Sequence, residues 1–116
     1  MKVIIAGSRD FEDLPELTLA IQRSGFQITE VVSGGARGVD LLGEIWAREH
    51  GVPVKQFPAE WDKYGKMAGS IRNRRMAHYA QALIALWDGI SRGTANMIQL
   101  AYDRGLPTHI HRFLSI

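Results

Sequence analysis

TEVVSGGARGVDLLGEIWAREH, residues Thr29 to His50, passes from a strand pattern to a helix pattern through a glycine-rich turn. Thr29 to Ser33 is a short β-branched run, and Gly38 to His50 carries Val39, Leu42 and Trp46 on one helical stripe before Gly51 and Pro53 stop it. A strand handed to a helix in this way is half of a βαβ unit. The alternation continues on both sides. Strands are predicted at Lys2 to Ala6, Val54 to Phe57, Ala82 to Trp87 and Thr108 to His111, short and non-alternating like strands covered on both faces. Before Thr29, a helix opens at Asp13 with Glu16 at capping-box spacing, buries Leu14, Leu17 and Ile21, and ends at Gly25. Ser70 is read as the cap of a third helix; a fourth starts near Ser91, turns Met97, Ile98 and Ala101 inward and stops at Gly105. The pattern predicts an α/β class, doubly wound in three layers, with about five mainly parallel strands.

The rest of the composition narrows the function classes. The chain has 116 residues, 46% hydrophobic and 22% charged, enough for one core in one domain spanning 1–116. It contains no cysteine, so disulfides, thiolate metal sites and cysteine nucleophiles fall together. The opening MKVIIAGSRD has too short an apolar run for a signal peptide or a membrane span, and a cytoplasmic location without membrane association is expected. A formal charge of +2 is only mildly basic.

Three loops at predicted strand ends combine glycine with arginine. Gly7, Ser8 and Arg9 follow the first strand, where a residue without Cβ lets backbone approach a ligand and Arg9 can fork onto phosphate. Ser33, Gly34, Gly35, Ala36, Arg37, Gly38 and Asp40 lead into the second helix, an arrangement that aims amides and a helix dipole at an anion. Asp88, Ser91, Gly93 and Thr94 repeat that logic after the fourth strand. Arg72, Arg74 and Arg75 in IRNRRM sit near a helix start, where the macrodipole disfavours cations and a bound anion would relieve them. The segment Pro58 to Gly69 shows neither period and is read as a lid, with Trp61 and Tyr64 as stacking surfaces for a base or ribose. Trp46 and Trp87 are assigned to the core. His109 and His111 share a strand face, but no third ligand is spaced to complete a metal site, so no metal and no resident cofactor are expected.

GSRDF, SGGARGVD, IRNRRM and WDGISRGT, in that order and across nearly the whole chain, resemble the SLOG superfamily, in its small bacterial and phage YspA/YpsA-related branch. The resemblance implies a Rossmann-like domain related to the DNA-processing protein DprA, to the LOG phosphoribohydrolases and to sensors of NAD-derived nucleotides. The hydrolases of that superfamily carry P-G-G-x-G-T-x-x-E. Gly93 and Thr94 match its glycine and threonine, while the glutamate position falls on Met97 and the proline is absent. Arg72 and Met76 match the hydrolases' R-K-x-x-M stretch. The resemblance also makes a homodimer an expectation.

The leading expectation is a module that binds a small phosphate-bearing nucleotide or NAD-derived ligand, such as ADP-ribose or a nucleoside monophosphate, and senses or sequesters it. A LOG-like phosphoribohydrolase or N-glycosidase is the alternative; Asp40 or Asp88 would then replace the missing carboxylate as the catalytic group. A DprA-like binder of single-stranded nucleic acid ranks third, with Arg72, Arg74 and Arg75 tracking the backbone.

Overall fold

The computed structural model describes residues 1–114. Five strands, β1 (Lys2–Gly7), β2 (Glu30–Ser33), β3 (Val54–Gln56), β4 (Ala82–Trp87) and β5 (Thr108–Arg112), form one sheet in the order β3-β2-β1-β4-β5. Every pair is parallel, with Val3 beside Val31 and Ala82, and Leu83 beside Thr108. The α/β expectation holds, and each strand lies within a residue of its predicted limits.

Alternation along β1 explains the three layers. Val3 and Ile5 point to one face, where they pack with Leu17, Ala20 and Ile21 of α1 (Leu14–Ser24) and Val39 and Ala47 of α2 (Val39–Glu49). Ile4 and Ala6 point to the other face, against Met76 and Ala77 of α4 (Ala68–Tyr79) and Met97, Ile98 and Ala101 of α5 (Arg92–Asp103). β1 and β4 are therefore buried on both sides, which is why their sequences read as apolar runs. Trp46 and Trp87 are only half-buried; Trp46 stacks on His50 with ring centroids 4.3 Å apart.

α1 begins and ends as its sequence requires. Asp13 Oδ1 accepts the Glu16 amide at 3.0 Å, and Gly25, at φ +71°, closes the C-terminus. The Glu16 carboxylate does not complete a capping box. It meets His111 Nε2 at 2.9 Å on β5 instead.

Two expectations for residues 58–70 are corrected. The segment read as an irregular lid contains a short helix, α3 (Trp61–Tyr64), and a 3-10 turn, Gly65–Met67, that runs directly into α4. Four residues are too few to show a helical period. Ser70 does not cap α4: the helix starts at Ala68, the flanking Met67 is itself helical in φ and ψ, and no side-chain cap bond forms. Ala68, its first residue, is buried. Arg72, Arg74 and Arg75 consequently lie from the second turn onward, where the macrodipole has largely decayed. Among the described residues, no helix is long and apolar enough to cross a membrane.

Candidate functional site

The connections leaving β1 and β4 go to opposite faces of the sheet, and a cleft opens beyond the carboxyl ends of these two strands, where such a topology leaves room. Its main lobe, about 610 Å³, is lined by the loop after β1, the start of α5 and the inner face of α4. A side lobe of about 360 Å³ shares Arg9, Ala36, Trp61 and Arg72 with it and adds Gly34, Gly35 and Arg37.

The three glycine loops do different things. Gly7 has no Cβ because β4 and α2 leave no space: a Cβ there would lie 2.2 Å from Leu86 O and 2.7 Å from Val39 Cγ2. Gly38, at φ +79°, would drive a Cβ to 2.3 Å from Ser8 O, so this glycine docks the second loop on the first, and the Val39 amide bonds Ser8 O at 3.2 Å. Ser33 is buried beneath the loop. Its Oγ donates to Glu44 Oε2 at 2.7 Å and accepts the Gly35 amide at 3.1 Å.

The start of α2, expected to face an anion with free amides, already holds the chain's own carboxylate. Asp40 accepts the Ala36 amide at 3.3 Å, and its carboxyl is pushed up to about 6 by burial, an effect that Arg72 and the backbone amides only partly offset. Three amides of this loop, those of Gly35, Ala36 and Val39, are thus bonded within the protein.

The start of α5 differs. Its ladder begins with Ala95 N–H to Ser91 O at 3.1 Å, so the amides of Arg92, Gly93 and Thr94 precede it. Ser91 at the N-cap makes no side-chain cap bond to them; its Oγ pairs with Thr94 Oγ1 at 3.2 Å. Gly93 and Thr94 line the main lobe. Opposite them, Ser8 is 5% exposed, and its Oγ has no hydrogen-bond partner of ordinary length among the described residues, although it lies near enough to Asp88 to help keep that carboxylate charged. Asp88 accepts the amides of Ser91 and Ile90, both at 2.8 Å, and these hold its carboxyl below the usual range.

Arg72 joins the parts. Its Nη1 donates to Gly34 O at 2.9 Å and its Nε to Asn73 Oδ1 at 2.9 Å, while Asn73 Nδ2 donates to Gly93 O at 3.2 Å and Asn96 Oδ1 at 3.0 Å. Burial pulls the guanidinium below its ordinary pKa; Asp40 opposes this and Arg9 adds to it. Gly34 makes the bridge fit, since a Cβ there would lie 2.4 Å from Arg72 Nη1. Trp61, 51% exposed, borders both lobes. Arg37 is exposed and sits 3.8 Å from Asp10. Met97 lines the main lobe with an apolar side chain.

Most of the residues singled out from the sequence thus converge on one cleft. Tyr64 and Arg75 do not line it and meet each other elsewhere, Arg75 Nη2 donating to Tyr64 Oη at 3.3 Å. Asn73, Asn96, Lys66 and Ile90 line the cleft without having been foreseen. Asn73 carried a legible signal: it stands at helical spacing from Met76, Ala77 and Ala80 on the inner face of α4, and a buried amide on an apolar stripe needs partners. Among the described residues, no group of three or more His, Asp or Glu could hold a metal.

Comparison with known proteins adds three findings. The model of the YspA, cpYpsA-related SLOG family matches residues 1–64. The Gene 61 protein of Mycobacterium phage D29 is 34% identical, over 91% of this chain and 92% of that protein. The crystal structure of DNA processing protein A (DprA) from Streptococcus pneumoniae is similar in fold, with a TM-score of 0.75 and 19% identity over 92% of this chain. The chain spans 48% of the length of that DprA chain.

Proposed function

We propose, from the premise that this chain belongs to the YspA, cpYpsA-related SLOG family, that its cleft binds a small phosphate-bearing nucleotide and that the protein senses or sequesters it. The observation that carries this reading is the open first turn of α5. Its amides and dipole favour an anion, and the buried hydroxyl of Ser8 lines the same lobe. The phosphate is assigned there and not to the glycine-rich loop before α2, because the Gly35, Ala36 and Val39 amides of that loop are already bonded within the protein. Arg72 and Arg9 neutralise the charge, and Trp61 offers a ring face to the base or ribose. A lobe of about 610 Å³ suits a ligand the size of a nucleotide. ADP-ribose would extend a second phosphate or ribose toward Arg37 in the side lobe.

One observation favours a second reading. Asp40 is a buried carboxyl at the cleft, poised to hold or release a proton near pH 6, as a phosphoribohydrolase acting on a nucleoside monophosphate would need in place of the glutamate that Met97 replaces. Isothermal titration of the protein with AMP, ADP and ADP-ribose, followed by chromatography of each mixture, separates the two. Binding with the ligand recovered intact is the expected result, with Arg72→Ala weakening it by about 10- to 100-fold. Free base in the mixture that disappears in Asp40→Asn would establish the hydrolase instead. Failure of all three ligands to bind at millimolar concentration would overturn the reading of the cleft.

A further inference from the structure

Asn96 lines the cleft, and the groups around it fix which way its amide faces. The chain of reasons starts at Arg72, whose guanidinium can only donate and whose Nε donates to Asn73 Oδ1 at 2.9 Å. Gly93 O can only accept, and it accepts from Asn73 Nδ2 at 3.2 Å. Turning the Asn73 amide over would set donor against donor at Arg72 and acceptor against acceptor at Gly93, so Asn73 holds one orientation. It is 5% exposed, and its second N–H donates to Asn96 Oδ1 at 3.0 Å. That bond orients Asn96 in turn. Its oxygen is committed to Asn73, and its Nδ2, which has no partner among the described residues, is left as a pair of donors.

The surroundings of those donors are apolar. Asn96 is half-buried and shares the main lobe with Met76 and Met97, each 1% exposed. On α4, Gly69, Asn73 and Met76 share one face at helical spacing, and Gly69 lies beside Trp61: a Cβ there would be 3.5 Å from Trp61 Cη2. About 6 Å of helix separates Gly69 from Asn73, so a base stacked on Trp61 can lie along this row with one edge at Asn96. The phosphate is placed at the amides of Arg92, Gly93 and Thr94, nearer the start of α5. A second phosphate at Asn96 would press its remaining oxygens against two methionine side chains. A ring carbonyl presents one acceptor between apolar faces.

We infer that Asn96 selects the base: resting on the nucleotide reading of the cleft, the preferred ligand carries a keto oxygen at the edge that meets Asn96, as hypoxanthine does, and not the exocyclic amino group of adenine. An amino group there would oppose N–H to N–H and leave both unpaired. AMP still enters, with its phosphate and stacking contacts intact, but binds more weakly.

The test is isothermal titration of IMP and AMP, which differ only in the keto or amino group at C6 and the proton on the adjoining nitrogen. The native chain should bind IMP about tenfold more tightly than AMP. Asn96→Asp keeps an oxygen for Asn73 and replaces only the outward N–H groups by an acceptor, so the preference should reverse to about tenfold for AMP. The added charge repels the phosphate of both nucleotides alike and cancels in that ratio. Asn96→Ala, which adds no charge, should bind the two about equally, and circular dichroism of both variants reports their fold. The inference is overturned if the native chain binds IMP and AMP equally or prefers AMP. It is overturned too if the preference for IMP survives in either variant, since a loss shared equally by both nucleotides is what a purely structural partner of Asn73 would cause. Failure of the native chain to bind either nucleotide at millimolar concentration is a different result, which overturns the reading of the cleft and this inference with it.

Discussion

At the scale of single residues, the glycines of the cleft divide by what their missing Cβ would strike. At Gly7 it would meet a backbone carbonyl of β4 and a β-branched side chain of α2, neither of which can yield. At Gly34 it would meet the far end of Arg72, which can swing away, and Asp40 Oδ2 at 2.8 Å, which has less room to yield; the backbone there has no positive φ to forbid a side chain. Gly7→Ala is therefore expected to lose several kcal/mol, roughly 2 to 4, by overpacking and strand displacement, read as a lower urea midpoint. Gly34→Ala should fold with a midpoint lowered less than that of Gly7→Ala and lose nucleotide affinity about as far as Arg72→Ala, because it expels the guanidinium that bridges Gly34 and Asn73. If Gly34→Ala instead unfolded and bound normally at low denaturant, the bridging role of Arg72 would be wrong. The sequence marked both glycines as special but assigned Gly7 to ligand approach. Steric contacts between elements distant in the chain decide this point, and no local pattern encodes them.

At the scale of elements, two strand–loop–helix connections of similar composition place their acids differently. The loop before α2 carries Asp40 within the first helical turn, and that carboxylate folds back onto the Ala36 amide outside the helix, while the Val39 amide is taken by Ser8 O. The loop before α5 places its acid earlier, at Asp88, which bonds the amides of Ile90 and Ser91 and leaves those of the helix proper without it. This distinction is encoded in the spacing of each aspartate from its helix start, and the glycine and arginine common to both motifs mask it. Strand limits and the caps of α1 were legible because they depend on neighbours a few residues away. α3 and the true start of α4 were not, since a four-residue helix has no period and α4 starts without a side-chain cap. The open end of α5 yields its own prediction. Ser91→Asp supplies the missing cap carboxylate and should stabilise the protein by about 0.5 to 1 kcal/mol, while its charge occupies the anion position and lowers nucleotide affinity by at least about tenfold. Thermal denaturation with and without nucleotide reads both effects. A variant that bound nucleotide as tightly as the native chain would place the phosphate elsewhere.

At the scale of the whole molecule, sheet order is what turns scattered motifs into a site. With β1 and β4 adjacent at the centre, loops that follow residues 7, 33 and 87 come to one edge, and the crossing of the chain from β3 to α4 delivers Arg72 from the far face. The same closure buries Asp40, facing Arg72 of α4 and Glu44 of its own helix, with backbone amides at Ala36 and Gly7. Its carboxyl titrates at about 6 in the folded chain against 3.8 for the ordinary group, so the folded state holds a proton that the unfolded state has released. Stability from this group is therefore fully present below pH 3.8 and is lost as pH rises to about 6, after which the loss is constant. The shift corresponds to a loss on the order of 3 kcal/mol. Asp40→Asn keeps a carbonyl for the Ala36 amide and removes the titration. The difference in urea-unfolding free energy between variant and native chain should thus move in favour of the variant by on the order of 3 kcal/mol between about pH 4 and pH 7 and stay flat above. Other carboxylates titrate in both proteins and cancel in that difference. A difference independent of pH would mean that Asp40 is ionised in the folded chain throughout this range, paired with Arg72 strongly enough to offset its burial, and the second, hydrolytic reading of the cleft would lose its proton donor.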